Sequence, residues 1–155
     1  MKEVKKVIGL VASIILWPIL FVYLQGSHRT RLIVTAGDKL LVLDNFLGRG
    51  NWGVPGGGLH KGEEPKTGAL RELQEETGLS LMPSDLVEFA KGQKAKDLGA
   101  TFYIDCFLCK LPETLAISSS SNEILETRWV DVEEFMNNYK MLPDTRTLLE
   151  AWLKG

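Results

Sequence analysis

Residues 57–79 read GGLHKGEEPKTGALRELQEETGL, and the spacing of the glycines, glutamates and one arginine in this stretch decides how the whole chain is read. Glu64 to Thr77 carries the signals of a helix. Pro65 suits a first turn, where its missing N–H costs nothing. Gly78 suits the left-handed residue that follows a helix end. Ala69, Leu70 and Leu73 recur at helical spacing and predict a buried stripe. Glu72, Glu75 and Glu76, three and four apart, then share one face. Glu75 and Glu76 differ by roughly 100° around the axis, so all three carboxylates can converge on one point. Like charges held together repel, and the helix offers only Arg71 and Lys66 as cations. A hard divalent cation resolves the conflict, because carboxylate oxygens are the ligands Mg²⁺ and Mn²⁺ prefer. For the glutamates alone, a solvated acidic face is the competing reading.

The preceding loop shifts the balance. Trp52-Gly53-Val54-Pro55-Gly56-Gly57-Gly58 is a glycine-rich approach to the helix. Gly56, Gly57 and Gly58 allow backbone to come close to a ligand, and a carbonyl there can bind a metal. A glycine-rich loop by itself is a weak signal. At a fixed distance from a glutamate cluster it becomes a strong one.

Together these residues resemble the signature of the Nudix hydrolase family, G-x5-E-x7-R-E-U-x-E-E-x-G-U, where U is a bulky aliphatic residue. Gly57, Glu63, Arg71-Glu72-Leu73, Glu75-Glu76 and Gly78-Leu79 fill every specified position. Trp52 to Gly57 and a late Glu-x5-Trp-Val, Glu123 to Val130, are also similar to the family, so the likeness covers most of Arg31 to Leu153 and excludes the N-terminal hydrophobic run. It implies an α/β fold, a Nudix-type α/β/α sandwich with a mixed sheet. It implies hydrolysis of a diphosphate linkage with Mg²⁺, or Mn²⁺ as the alternative, in a nucleoside diphosphate linked to another moiety or in a nucleoside triphosphate.

By the same resemblance Glu75 and Glu76 are metal ligands, joined by the backbone carbonyl of Gly57 or its neighbour Gly56. Glu72 is a further ligand or the base that orients water. Arg71 holds the glutamates by ion pairing, and Glu63 braces the Gly56–Gly58 loop or completes the metal shell. Some relatives carry the base on a loop before the last strand, which here points to Glu123 rather than Glu126. His60 stands where many relatives have glutamate. Markers of ADP-ribose, dinucleoside-polyphosphate and NADH subfamilies are absent downstream, so the substrate-binding residues stay open. Trp52, Phe102, Tyr103 and Phe107 are candidates to stack on a base, although aromatic residues in strands are more often core.

The remaining sequence is read around this element. Runs at Arg31–Thr35 and Lys39–Asp44 flank Ala36-Gly37-Asp38, a hairpin signal. A short strand is expected at Trp52–Val54, further strands at Leu86–Lys91, Thr101–Leu111 and Glu126–Val130, and helices at Asp131–Tyr139 and Asp144–Leu153 with Asp131 and Asp144 as N-caps. Leu115–Asn122, with its serines Ser118 to Ser121, reads as a mobile loop. Cys106 and Cys109 fall three apart on a strand, hence on opposite faces, and are expected to be reduced structural residues. The net charge of −2 gives no basic surplus for a nucleic-acid partner. An RNA 5′-pyrophosphohydrolase and a non-catalytic, membrane-tethered nucleotide-binding module are the alternatives to a small-nucleotide hydrolase.

Val7 to Leu24, VIGLVASIILWPILFVYL, carries no charge. As one helix it would be about 27 Å long, close to the thickness of a bilayer core. Residues 1–25 are therefore expected to form an N-terminal hydrophobic transmembrane helix, a membrane anchor, ahead of a hydrolase domain at 26–155, with Gln25–Thr30 as linker. A cleaved signal peptide and a buried segment are the other readings. Positive charges at the two ends tie, so a cytoplasmic catalytic domain rests on where nucleotide substrates lie.

Overall fold

A computed structural model describes residues 2–119 and 121–155. Its elements are α1 (Lys2–Ile15), α2 (Trp17–Leu24), β1 (His28–Ala36), β2 (Lys39–Asn45), β3 (Trp52–Gly53), α3 (Pro65–Thr77), β4 (Val87–Asp97), β5 (Ala100–Leu111), β6 (Ile124–Asp131), α4 (Val132–Asn138) and α5 (Pro143–Lys154), with a 3₁₀ turn at Pro83–Asp85. One mixed sheet runs in the order β3-β2-β1-β5-β4, with β6 also paired to β2. β1 and β5 are parallel; β1–β2, β2–β3, β2–β6 and β4–β5 are antiparallel.

The sheet is covered on both faces, which explains why the Leu32–Val34 stretch of β1 is apolar on successive residues instead of alternating. Leu32 and Val34 point to one side and pack with Leu41, Ala69, Leu73 and Phe107, under α3. Ile33 points to the other and packs with Phe102, Ile104, Phe135, Leu148 and Leu149, under α4 and α5. This is the expected α/β/α sandwich with a mixed sheet. Cys106 and Cys109 are free and divide between the two faces, as their spacing requires. Burial pushes the Cys106 thiol up to about 12, so it is inert.

Three expectations need correction. The N-terminal run is not a single helix. It breaks at Leu16, just before Trp17-Pro18, and α1 and α2 are bent by 73°. Pro18 in the first turn of α2 is compatible with starting a helix but not with continuing one. No single helix among the described residues is long and apolar enough to cross a membrane; the bent pair passes by length and composition together. Gln25–Thr30 is only partly a linker: β1 already begins at His28, and Gly26 donates to the Thr101 carbonyl at 2.7 Å. Asp144 does not cap α5, whose N-cap is Leu142; its carboxylate turns inward instead. Asp131 does cap α4, accepting from the Glu133 and Glu134 N–H groups. The serine-rich segment has no regular structure where it is described, and Ser120 lies outside the described residues.

α1 is turned inside out relative to an ordinary amphipathic helix. In α1, Gly9 and Ser13 are buried, whereas Val7, Ile8, Val11, Ile14 and Ile15 are exposed. Gly9 lies so close to the Phe46 carbonyl that a Cβ would collide with it. Lys6 Nζ stands 3.4 Å from the fully buried Asp44, whose two carboxylate oxygens have no hydrogen-bond partner.

Leu73 is wholly buried where α3 meets the sheet. Leu73→Ala should cost about 2–5 kcal/mol, read as a lower denaturant midpoint at unchanged slope. A loss under about 0.5 kcal/mol would show that α3 is not anchored there.

Candidate active site

The catalytic candidates are positioned by a capped helix laid against a glycine-rich loop. Glu64 caps α3 by accepting the Thr67 N–H at 3.1 Å. Gly78, at φ 73°, closes the other end by donating to the Gln74 carbonyl. Leu73 faces the core, so Glu72 and Glu76 face the Gly56–Gly58 loop. The loop is itself tied to β1: Thr30 N–H donates to the Gly57 carbonyl and Leu32 N–H to the Pro55 carbonyl, both at 2.8 Å. Glycine is required here. A Cβ on Gly57 would lie 2.5 Å from Glu72 Oε1, and one on Gly56, at φ 142°, would strike the Thr30 carbonyl.

Arg71 fastens loop and helix together. Its Nε and Nη2 donate to the two carboxylate oxygens of Glu63 at 2.9 and 3.0 Å, a bidentate pair. Nη1 donates to Glu72 at 2.8 Å and Nη2 to the Gly58 carbonyl at 3.0 Å; Glu75 is 3.5 Å away. Arg71 and the His60 N–H hold the Glu63 carboxyl down to about 2. The same bonds, Glu63 foremost, raise the Arg71 guanidinium above its ordinary value.

Glu76 is in the opposite electrostatic situation. It is buried, and it accepts the Gly56 N–H at 2.9 Å. Burial is the main cause of a carboxyl pushed up to about 8. The Gly56 bond and Arg31 pull it down, and the charges of Glu72 and Glu123 push it further up. Glu72, Glu75, Glu76, Glu123 and Gly56–Gly58 all line one cavity of about 520 Å³. Among the described residues, no three acidic, histidine or cysteine side chains are drawn tightly enough together to enclose a metal. Arg71 accounts for part of this, since it holds Glu72 and approaches Glu75. The donor chemistry nevertheless fits a hard cation. The donors are all oxygen, and a buried carboxyl resists ionising beside two other acids until positive charge arrives.

The other predicted residues divide clearly. Glu123 enters the cavity from the loop before β6, while Glu126 is ion-paired to Arg128 and lies outside the lining. His60 is exposed at the rim and acts on the site through its backbone. Of the aromatic candidates, Phe102 lines the cavity. Trp52 and Phe107 are core, and Tyr103 stacks on His28 with centroids 5.4 Å apart.

Sequence reasoning missed Arg29, Arg31, Asp144 and the α2 side chains in the same cavity. Arg31 Nε and Nη2 reach Asp144 at 2.7 and 2.6 Å, both residues being buried. The partners are 113 residues apart, so no local pattern announces the pair. A signal did exist for the arginines: spaced by two on a strand, they share a face.

A family profile for the NUDIX domain matches residues 26–152, and the chain belongs to the Nudix family. It is 29% identical over 143 residues to Nudix hydrolase 2 of Arabidopsis thaliana, covering 84% of this chain and 51% of that one. The chain spans between 32% and 51% of the length of the first curated relatives it matches. It is similar in fold to a bifunctional NMN adenylyltransferase/ADP ribose pyrophosphatase of Francisella tularensis, solved with AMP and a manganese ion. That likeness has TM-score 0.71 and 19% identity, over 90% of this chain and 45% of the other. The NUDIX domain of Shewanella oneidensis NrtR, solved with ADP ribose, is similar at TM-score 0.71 and 18% identity, over 83% and 87% of the two chains.

The Glu63–Arg71 pair makes a pH prediction. A carboxyl depressed by folding stabilises the native state above its ordinary value of 4.5, and that stability is lost as pH falls towards 2. Glu63→Gln should therefore be less stable than the parent at neutral pH, and the gap should narrow as the pH drops from 4.5 to 2. A gap that stays constant across that window in denaturation curves would remove the ion pair from the stability account.

Proposed function

We propose that the chain hydrolyses a diphosphate linkage in a nucleoside diphosphate bearing a second moiety, or in a nucleoside triphosphate, with Mg²⁺ or Mn²⁺ as cofactor. The observation that carries this reading is the convergence of Glu72, Glu75, Glu76, Glu123 and the Gly56–Gly58 backbone on one cavity. Glu72, Glu75, Glu76 and the Gly57 carbonyl are assigned as the residues that hold the metal. That carbonyl accepts one hydrogen bond from Thr30, which leaves a second lone pair. The chemistry a divalent cation supplies at such a site is neutralisation of phosphate oxygens and acidification of water.

The residues do the rest. Glu123, which lines the cavity from the loop before β6, takes a proton as water attacks phosphorus. The new O–P bond forms as the bridging O–P bond breaks, and the bridging oxygen leaves with the second phosphate. The products are a nucleoside monophosphate and a phosphorylated group, or a monophosphate and pyrophosphate. Arg71 and Glu63 do not touch the reacting atoms; they set where Glu72 and the loop stand.

The full chain should be screened with Mg²⁺ against ADP-ribose, dNTPs, 8-oxo-dGTP, nucleotide sugars and dinucleoside polyphosphates. ADP-ribose comes first because it is the ligand of the NrtR domain. Glu76→Gln, an uncharged isostere at a buried site, should keep the fold and lose at least ~100-fold in turnover. Full turnover in that variant would overturn the metal assignment. Absence of turnover on the whole panel by the parent chain would favour a nucleotide-binding module.

We also propose that residues 7–24 hold the protein at a membrane, with the catalytic domain on the cytoplasmic side where nucleotides are found. The support is the outward apolar face of α1 and α2, with Val7, Val11, Ile14, Ile15, Ile19 and Val22 exposed, together with the exposed Lys5. The full chain should sediment with membranes and survive a high-salt wash. Recovery in the supernatant would end this reading.

A further inference from the structure

One wall of the cavity comes from outside the matched domain. Leu20, Tyr23 and Leu24 of α2 line it, ahead of residue 26 where the family match begins. Directly beside them stands Arg29. Its Cζ lies 5.9 Å from the Tyr23 ring centroid and 6.0 Å from that of Phe102. Nε and Nη1 are buried and have no hydrogen-bond partner.

Arg29 is half-buried, and buried arginine donors are ordinarily paired with an acid or bound to carbonyls. Here the nearby carboxylate, Asp144, is already taken by Arg31. Burial first, and the charge of Arg31 second, lower the Arg29 pKa; Tyr23 and Asp144 oppose them. Ring contacts favour the guanidinium faces, and the side chain hydrogen-bonds Tyr23, but the Nε and Nη1 donors stay unanswered. The local field therefore calls for an anion, and a guanidinium that lines the cavity suits phosphate oxygens.

The position is also right. A Cβ on Gly58 would lie 2.8 Å from Tyr23 Oη and 3.6 Å from Arg29 Nη1, whereas one on the preceding Gly57 would meet Glu72. Adjacent loop residues thus face the glutamates on one side and the Tyr23–Arg29 pair on the other.

We propose that Arg29, framed by Tyr23 and Phe102, is a cationic seat for the phosphoryl group of the substrate that water does not attack, and that α2 is a built-in wall of that seat. This rests on the diphosphate reading of the site. It makes Arg29 and Tyr23 substrate-binding residues contributed jointly by β1 and by a segment that precedes the family domain.

The test is calorimetric titration of the full chain with inorganic pyrophosphate at low salt and without divalent metal. The parent should bind, and Arg29→Gln should bind about tenfold more weakly or worse. Tyr23→Ala, at a side chain largely open to solvent and so safe for folding, should lose affinity in the same direction. Arg29→Lys, which keeps the charge but not the planar, many-donor head set against the Tyr23 and Phe102 rings, should fall between parent and Gln. No binding by the parent would overturn the seat, as would unchanged affinity in either Arg29→Lys or a folded Arg29→Gln. Arg29-dependent pyrophosphate binding in a chain that turns over none of the panel would leave the seat standing and remove the hydrolase reading.

Discussion

Arg71 is the constraint on which the site depends. One guanidinium fixes the loop acid Glu63 with two donors, the Gly58 carbonyl with a third contact, and Glu72 on its own helix with a fourth. Loop and helix therefore cannot move independently, and the cavity wall they share has a defined shape. Several carboxylates are held near one another at the cost of their mutual repulsion, and a single cation with in-plane donors offsets part of it. Lysine could supply the charge but not the simultaneous bonds in fixed directions.

The two glutamates at either end of this arrangement are tuned in opposite senses by their surroundings. Glu63 is ionised and locked, with its carboxyl held near 2 by Arg71 and a backbone donor. Glu76 is buried beside other acids and pushed up to about 8. A carboxylate satisfied by its own protein is structural. One that is left electrostatically unsatisfied inside a polar cavity is available to something else. The same logic separates the two arginines of β1: Arg31 has Asp144, and Arg29 has no acid of its own.

Most of the central element was legible because its signals are local. Helix caps, the buried stripe of α3 and the spacing of Glu72, Glu75 and Glu76 all lie within a few turns, where the pattern and the structure share a period. Glu123 could be placed because only its distance from Trp129 mattered. The failures are of two other kinds. Asp144 looked like a cap because caps are judged from neighbours, but an acid buried opposite an arginine on a distant strand gains more from that partner. The N-terminal run looked like one helix because hydrophobicity was read as length. Pro18 and the tertiary contacts of Gly9, Lys6 and Tyr23 instead fold it back over the domain. Nothing in residues 7–24 alone could show that its inner edge would line the cavity.

The contact between Lys6 and Asp44 gives the domain boundary a meaning that sequence similarity does not. The family match starts at residue 26, an inviting place to trim an inconvenient hydrophobic leader. Yet Asp44 is fully buried in β2, and the ammonium that faces it belongs to α1. A chain cut at the boundary would keep every signature residue. It would also keep a buried carboxyl that no longer faces Lys6, and a breach in the wall beside Arg29. What can be excised on paper as a separate module is, in its packing, one piece with the part that carries the signature.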